Sequence, residues 1–315
     1  MLEPIGFLLQ GRMMKNVFFD HDAGVDDLLS IIFLLAMKQV KPLGIGVTPA
    51  DCYLETGLPA TLKILELLKR TEIPVAGGVL NGQHEFPAEW RHHSDMVDAL
   101  PVLNETGGPH IAAQTLPAHE LLIQTVRASD DPVTLLFTGP LTNLAAALDL
   151  APDVEPRFER LYWMGGAVDV PGNVLPPHGD GTAEWNVYWD APAAARAWRS
   201  TIPITLVGLD ATDSVPVTLD FLRRLARQRR YPLSDLAGQC WAVTVNTGYH
   251  LWDTLTTLSI GFPNLITARD VPCEIVTEGP SEGRTLATPD GRLVQVAGLV
   301  DAARVYDTVL ALLQQ

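Results

Sequence analysis

Residues 15–37 read KNVFFDHDAGVDDLLSIIFLLAM. Lys15–Asp20 carries Val17, Phe18 and Phe19 in succession and reads as a buried strand. Asp26–Met37 is apolar almost throughout and reads as a buried helix. Asp26 and Asp27 stand in its first turn, where the helix dipole favours negative charge. Between strand and helix lies the loop Asp20-His21-Asp22-Ala23-Gly24, with Gly24 free to turn sharply. A strand, a tight loop and a buried helix open an α/β unit.

The chain repeats that alternation. Leu43–Val47 reads as a strand, Leu54–Lys69 as a helix and Ile73–Ala76 as a short strand. An irregular stretch over 78–117, rich in Pro, His and Gly, follows. Loops this long inside a domain are usually functional or disordered. Then come a helix at His119–Ala128, a strand at Pro132–Phe137, a helix at Leu141–Leu150 and a strand at Arg160–Met164. A second irregular stretch spans 167–183. A helix near Ala191–Arg199, a strand at Ile204–Gly208, and helices near 217–228, 233–247 and 252–260 come next. Short strands within 272–298 and a helix over about 299–313 close the chain. No linker or repeat divides it. The expected fold is a single α/β domain, Rossmann-like, with a mostly parallel central sheet and helices on both faces. The active site should lie at the carboxyl ends of the strands.

The chain has 315 residues, 22 Lys+Arg and 37 Asp+Glu, a formal charge of −15. That balance excludes a broad nucleic-acid or anionic-lipid footprint. Hydrophobic residues are 47% of the chain, enough for a large core and against intrinsic disorder. Cys52, Cys240 and Cys273 are odd in number and widely spaced, and read as buried reduced thiols. No apolar run reaches a membrane span, and residues 1–12 make a poor signal peptide, so a cytoplasmic protein is expected.

Four carboxylates fall within eight residues: Asp20, Asp22, Asp26 and Asp27. So close together they repel unless protons or a cation intervene. A hard divalent cation with oxygen ligands, calcium or magnesium, is the natural resolution. A magnesium-dependent phosphatase of the haloacid-dehalogenase type, with Asp20 as nucleophile, also starts from a strand ending in D-x-D. Here Ala23-Gly24 stands where that type has Gly-Thr, and the doubled Asp26–Asp27 is unexplained.

The D-x-D-x-G-x-D-D segment resembles the metal-binding signature of the nucleoside hydrolases. Met164-Gly-Gly-Ala-Val-Asp169, Gly172-Asn173-Val174 and Thr182-Ala-Glu184-Trp185-Asn186-Val-Tyr-Trp189-Asp190 are similar to that family. So are Thr138-Gly-Pro-Leu-Thr-Asn143 and Trp252-Asp253. The chain looks closest to the purine-preferring inosine–adenosine–guanosine subgroup. The resemblance covers 14–315, the expected hydrolase domain, and Met13 and Met14 just before the first strand make 1–13 an upstream start or a disordered leader.

The resemblance implies calcium-dependent, inverting hydrolysis of the N-glycosidic bond of purine ribonucleosides. Ca2+ would be held by Asp22, Asp27, the Thr138 carbonyl and Asp253, and Asp22 would be the general base. Asp26, Asn173, Glu184 and Asn186 match ribose-holding residues, and Asp51 would face the purine or ribose. Pyrimidine-accepting relatives commonly carry a histidine just before the last metal-binding aspartate; here that place is Trp252. Trp252 and Trp90, with Trp185 nearby, would stack on the base. Indole stacking favours a cationic purine and so helps it leave. Trp163, Trp189, Trp198 and Trp241 read as core. The subgroup has Gly-Asn in place of Ala23-Gly24, and that Asn can contact the nucleoside, so the resemblance does not carry over that polar contact.

His250 reads as a surface histidine on a mobile lid, and His84, His92 and His93 as exposed. The expected partners are purine ribonucleosides and water, with no nucleic acid and no membrane, in a homodimer or homotetramer. A nucleoside-binding protein without catalysis is the other alternative.

Overall fold

The computed structural model describes residues 14–245 and 247–314. The expected leader, 1–13, lies outside them. The strands are β1 (Lys15–His21), β2 (Val40–Val47), β3 (Val75–Gly77), β4 (Val133–Phe137), β5 (Phe158–Trp163), β6 (Ile204–Leu206), β7 (Ile266–Ile275), β8 (Thr285–Ala287) and β9 (Arg292–Val300). Among the described residues they form one sheet of order β3-β2-β1-β4-β5-β6-β9-β7-β8. From β3 to β9 every neighbouring pair is parallel. β7 runs antiparallel to both β9 and β8. The single-domain α/β fold with a mostly parallel sheet is as expected.

The α-helices are α1 (Val25–Ala36), α2 (Leu54–Leu67), α3 (Ala88–Arg91), α4 (His93–Asp98), α5 (Ala118–Ala128), α6 (Thr142–Leu150), α7 (Trp185–Trp189), α8 (Ala191–Trp198), α9 (Leu209–Thr212), α10 (Leu219–Arg227), α11 (Pro232–Ala242), α12 (Trp252–Gly261) and α13 (Ala302–Leu312). Strand alternation sends neighbouring side chains to opposite faces. Val17 and Phe19 join the core under α1, α2, α11, α12 and α13. Phe18, between them, joins the core under α5, α6 and α8. α1 is buried from Val25 to Leu34, as a helix apolar on every side beyond its first turn must be. Trp163, Trp189, Trp198 and Trp241 are buried, and so are all three cysteines, which are free. No helix among the described residues is long and apolar enough to cross a membrane.

Four elements show where the sequence pattern falls short. The stretch 78–117, expected to be irregular, contains α3 and α4. They are too short for a helical period to show. α7 was hidden because Trp-Asn-Val-Tyr-Trp has no helical apolar spacing; its cap on Glu184, described below, imposes it. β7 opens at Ile266 rather than near 272 because it is half-exposed, with a run of exposed residues over 267–270.

One topological feature places the site. After β1 the chain winds outward through β2 and β3, then returns and winds the other way from β4. β1 and β4 therefore flank the switch point, where the connections leave in opposite directions and open a crevice. Asp22 follows β1 and Thr138 follows β4. The Thr138 amide still donates to the Asp20 carbonyl at 3.0 Å, so the two loop starts are held side by side.

Candidate active site

α1 begins on Gly24, and Asp27 caps it by accepting the Gly24 amide on Oδ2 at 2.8 Å. Ala23 takes a left-handed turn at φ +59°, a conformation side chains other than glycine rarely adopt. Its methyl is buried beside Gly57, where an added Cβ would lie 2.8 Å from it. The turn points Asp22 and Asp27 into the crevice. Their carboxyl groups lie within hydrogen-bond reach of one another. Asp27 Oδ1 also accepts the Thr138 hydroxyl.

Packing of α12 on α1 delivers the third acid. Asp253, in the first turn of α12, donates its amide to Asp26 Oδ2 at 2.8 Å. The loop after β2 supplies Asp51, whose amide donates to Asp22 Oδ2 at 3.2 Å. A Cβ on Gly24 would lie 3.0 Å from Asp27 Oδ2 and 3.1 Å from Asp51 Oδ2, so Gly24 sits between those two acids. A Cβ on Gly139 would meet Asp22 Cγ at 2.9 Å.

Asp22, Asp26, Asp27, Asp51 and Asp253 thus form one cluster, and burial raises the pKa of every one. Asp22 is pushed up to about 6, by burial first and with the Asp26 charge adding. Arg91 is the cation that acts on the cluster, drawing Asp51 back down. Among the described residues no three His, Cys, Asp or Glu side chains stand arranged as a metal cage. The carboxyls are closed onto one another instead. All the donors are hard oxygens, and the cluster's mutual repulsion is relieved by a proton or a hard cation. The chemistry of the set therefore fits a hard divalent cation.

Asp20 is separate. It accepts Thr48 Oγ1 at 2.7 Å and Asn143 Nδ2 at 3.0 Å, and a Cβ on Gly46 would collide with it. Burial pushes its pKa up to about 7. Sealed among these groups it joins β1, β2 and α6, and it cannot serve as a phosphatase nucleophile. His21 is likewise structural. Its Nδ1 accepts the Ala23 amide, and burial pulls its pKa down to about 3, leaving a neutral ring.

The ribose candidates hold one another. Glu184 caps α7 by accepting the amides of Asn186 and Val187, and it also accepts the Gly166 amide at 2.9 Å. Burial pushes it up to about 7. Asn186 Nδ2 donates to the carbonyls of Thr138 and Met164 at 3.0 and 3.1 Å. Asn173 Oδ1 accepts the Trp185 amide at 3.1 Å.

The tryptophans fall into two groups. Trp90, 37% exposed, meets buried Trp185 edge-on at 5.5 Å, with Phe86 beside both. Trp252 meets Tyr249 at 4.6 Å and His250 at 5.3 Å. Among the described residues no ring contact joins Trp90 directly to Trp252. His93 on α4 reaches Tyr249 edge-on at 6.4 Å.

Tyr249 was missed by the sequence reading. Its hydroxyl donates to Asp26 Oδ1 at 2.6 Å, so it ties the acids to the Trp252 group. A tyrosine four residues before Asp253 carries no signal until α12 packs on α1.

Three histidine expectations are corrected, the first being His93, which is half-buried against Tyr249 rather than exposed. His250 is half-buried, and its chain neighbours are tied down. Leu251 donates its amide to the Val215 carbonyl at 2.9 Å, and Val217 donates to the Tyr249 carbonyl at 2.8 Å. Backbone pairing of this kind anchors the segment. His84 is not simply exposed, because it stacks on Tyr188 at 3.9 Å and pairs with Glu282 at 3.2 Å. Glu282 is remote in sequence, so the pair was not legible there.

A family model described as inosine-uridine preferring nucleoside hydrolase matches residues 17–307. An inosine-uridine preferring nucleoside hydrolase from Bacillus anthracis, known from a crystal structure, is similar with TM-score 0.93 and 44% identity, over 96% of this chain and 99% of that one. A purine-preferring ribonucleoside hydrolase from Gardnerella vaginalis is similar with TM-score 0.80 and 26% identity, over 95% and 98% of the two chains. A Shewanella baltica relative named pyrimidine-specific ribonucleoside hydrolase RihA is 32% identical over 326 residues, 94% of this chain and 98% of its own.

Proposed function

This chain belongs to the inosine-uridine preferring nucleoside hydrolase family, and on that premise we propose that it is a calcium-dependent enzyme cleaving purine ribonucleosides to ribose and free base. The observation that carries this reading is the cluster of five buried carboxylates at the switch point of the sheet. So many buried acids with so little compensating positive charge are costly to stability, and such pKa perturbation marks functional sites.

Asp22, Asp27, the Thr138 carbonyl and Asp253 are the proposed calcium ligands. When bound, the ion supplies Lewis-acid activation of the attacking water. Asp22 takes the proton from that water. With a pKa near 6 it is ionised at neutral pH yet more basic than a solvated aspartate, which suits a general base. Attack opposite the base inverts the anomeric carbon.

Asp26, Asn173, Glu184 and Asn186 are assigned to the ribose, and Asp51 to the purine or ribose. Asp26 and Glu184 already accept two or more hydrogen bonds each, and a carboxylate has about four acceptor sites. The sites left over can receive ribose hydroxyls. Fixed negative charge around the sugar stabilises the positive charge it develops as the base departs.

Purine preference rests on the tryptophans. A two-ring base offers more stacking area to Trp252 and Trp90 than a one-ring base, and indole faces favour its protonated form. Trp252→Ala is expected to lower kcat/KM for inosine about tenfold more than for 4-nitrophenyl riboside, whose phenolate leaves unprotonated. Steady-state assays on both substrates check this, and equal losses would remove leaving-group activation from the account.

Cleavage of pyrimidine ribonucleosides is the second reading. The pyrimidine-specific name of the Shewanella relative favours it. So does half-buried His250 beside Trp252, whose Nδ1 has no hydrogen-bond partner among the described residues and could protonate a base. The deciding experiment measures reducing sugar from inosine, guanosine, adenosine, uridine and cytidine, with and without a chelator. Ribose from the purines alone, lost with chelator, supports the proposal. Ribose from uridine and cytidine alone overturns the purine assignment. No ribose from any substrate overturns the activity.

A further inference from the structure

Trp90 and Asp51 lie on different loops, and the residue that joins those loops is Arg91. It ends α3, directly after Trp90. Its Nε and Nη2 donate to the Cys52 carbonyl at 3.2 and 3.1 Å. Its guanidinium also lies over the Tyr53 ring, 4.2 Å from the centroid. Cys52 and Tyr53 are the two residues after Asp51. Two donors of a planar fork on one acceptor fix the guanidinium in its plane, and the ring beneath fixes it along the normal. Little freedom is left between Arg91 and the Asp51 turn.

The neighbouring contacts reinforce that dock. His92 meets Tyr53 at 5.1 Å, and Thr56 donates to Asp95 Oδ1 at 2.7 Å. Trp90 reaches the other way, to Trp185 and Phe86. Asp51 Oδ1 is buried without a hydrogen-bond partner among the described residues, an acceptor with nothing yet to accept. A buried acceptor left open is costly unless a ligand fills it.

We propose that Arg91 is a positioning residue for the nucleobase. Its fork on the Cys52 carbonyl and its stack on Tyr53 hold the Trp90 indole in register with the open acceptor of Asp51. A base then meets its stacking face and its polar partner as one preformed unit. The inference rests on the nucleoside-hydrolase reading and deepens it by naming what aligns the base-binding residues.

The test compares wild type, Arg91→Ala, Arg91→Lys and Tyr53→Leu on inosine and on 4-nitrophenyl riboside, with kcat and KM measured separately. Arg91→Ala is expected to lower kcat/KM for inosine about tenfold or more, the scale of one aromatic contact. The nitrophenyl riboside should lose roughly threefold or less. Arg91→Lys should recover only part, because an ammonium offers neither the fork nor the flat stack. Tyr53→Leu should shift the ratio in the same direction, and it carries the test should Arg91→Ala fail to melt cooperatively. Equal losses on both substrates, no loss on either, or full recovery with lysine each overturn the role. A wild type that releases ribose from neither substrate overturns the hydrolase reading and this inference with it.

Discussion

Asp22→Ala is expected to lower ribose release from the preferred nucleoside by about three orders of magnitude or more while the protein stays folded. General-base catalysis alone contributes roughly 10²–10⁴-fold, and the same side chain is a proposed metal ligand. Folding should persist because Asp22 does not hold the loop together. The loop is held by the Asp27 cap on Gly24, the Thr138 amide on the Asp20 carbonyl and the packing of Ala23 near Gly57. Asp22 is instead one of five acids whose burial is unfavourable, so in chelator its removal should leave the melting temperature unchanged or raise it. Kinetics and a thermal melt on the same preparation check both halves. Turnover near wild type would reject Asp22 as the base, and a collapsed melt would show that the loop depends on it.

The second large effect is on stability. In chelator, the protein should melt at lower temperature as pH rises from about 4 to about 7. Burial raises Asp20 from 3.8 to about 7, Asp22 from 3.8 to about 6 and Glu184 from 4.5 to about 7. Below about pH 4 both native and unfolded states keep these protons, and the stabilisation is fully present. Between about pH 4 and 7 the unfolded chain has released protons that the native state still holds. The native state therefore binds more protons there, and its stability falls as pH rises through the raised pKa values. Each raised pKa unit is worth about 1.4 kcal/mol, so the melting temperature should fall by on the order of 10 °C. Added calcium should weaken the trend, because it binds the native state and, of these three acids, competes with protons for Asp22, together with Asp27 and Asp253. Its stabilisation should therefore be larger near pH 8 than near pH 5. Melts at several pH values, in chelator and in calcium, decide it. A flat profile in chelator, or a calcium effect larger at acid pH, would contradict the cluster's electrostatics.

Legibility differed from residue to residue. Asp22, Asp26 and Asp27 were readable because they sit in one loop, between a strand and a helix whose apolar runs leave little ambiguity. Asp51, Thr138 and Asp253 were named only through resemblance to a family, since each lies on a separate loop or helix. Glu184, named for ribose by resemblance, is also the cap of α7, and a carboxylate has acceptor sites enough for both roles. Tyr249 and Arg91 gave no signal. Their contacts depend on α12 meeting α1 and on α3 meeting the turn after β2, which no local pattern encodes.

By itself, the sequence determined the class of fold and the first acids of the site. Alternating apolar runs of period two and 3.6 must bury their faces in a layered sheet, and carboxylates crowded into one loop repel unless a proton or a cation intervenes. Only the tertiary structure decided which acids act together. β1 and β4 separate at the switch point, α12 packs on α1, and the Asp51 turn folds back on Asp22. Five aspartates from three parts of the chain thereby enter one buried volume, while Asp20, nearest of all to Asp22 in sequence, is turned away to Thr48 and Asn143. Charges that would be screened and independent in the unfolded chain become coupled only where packing removes the water between them.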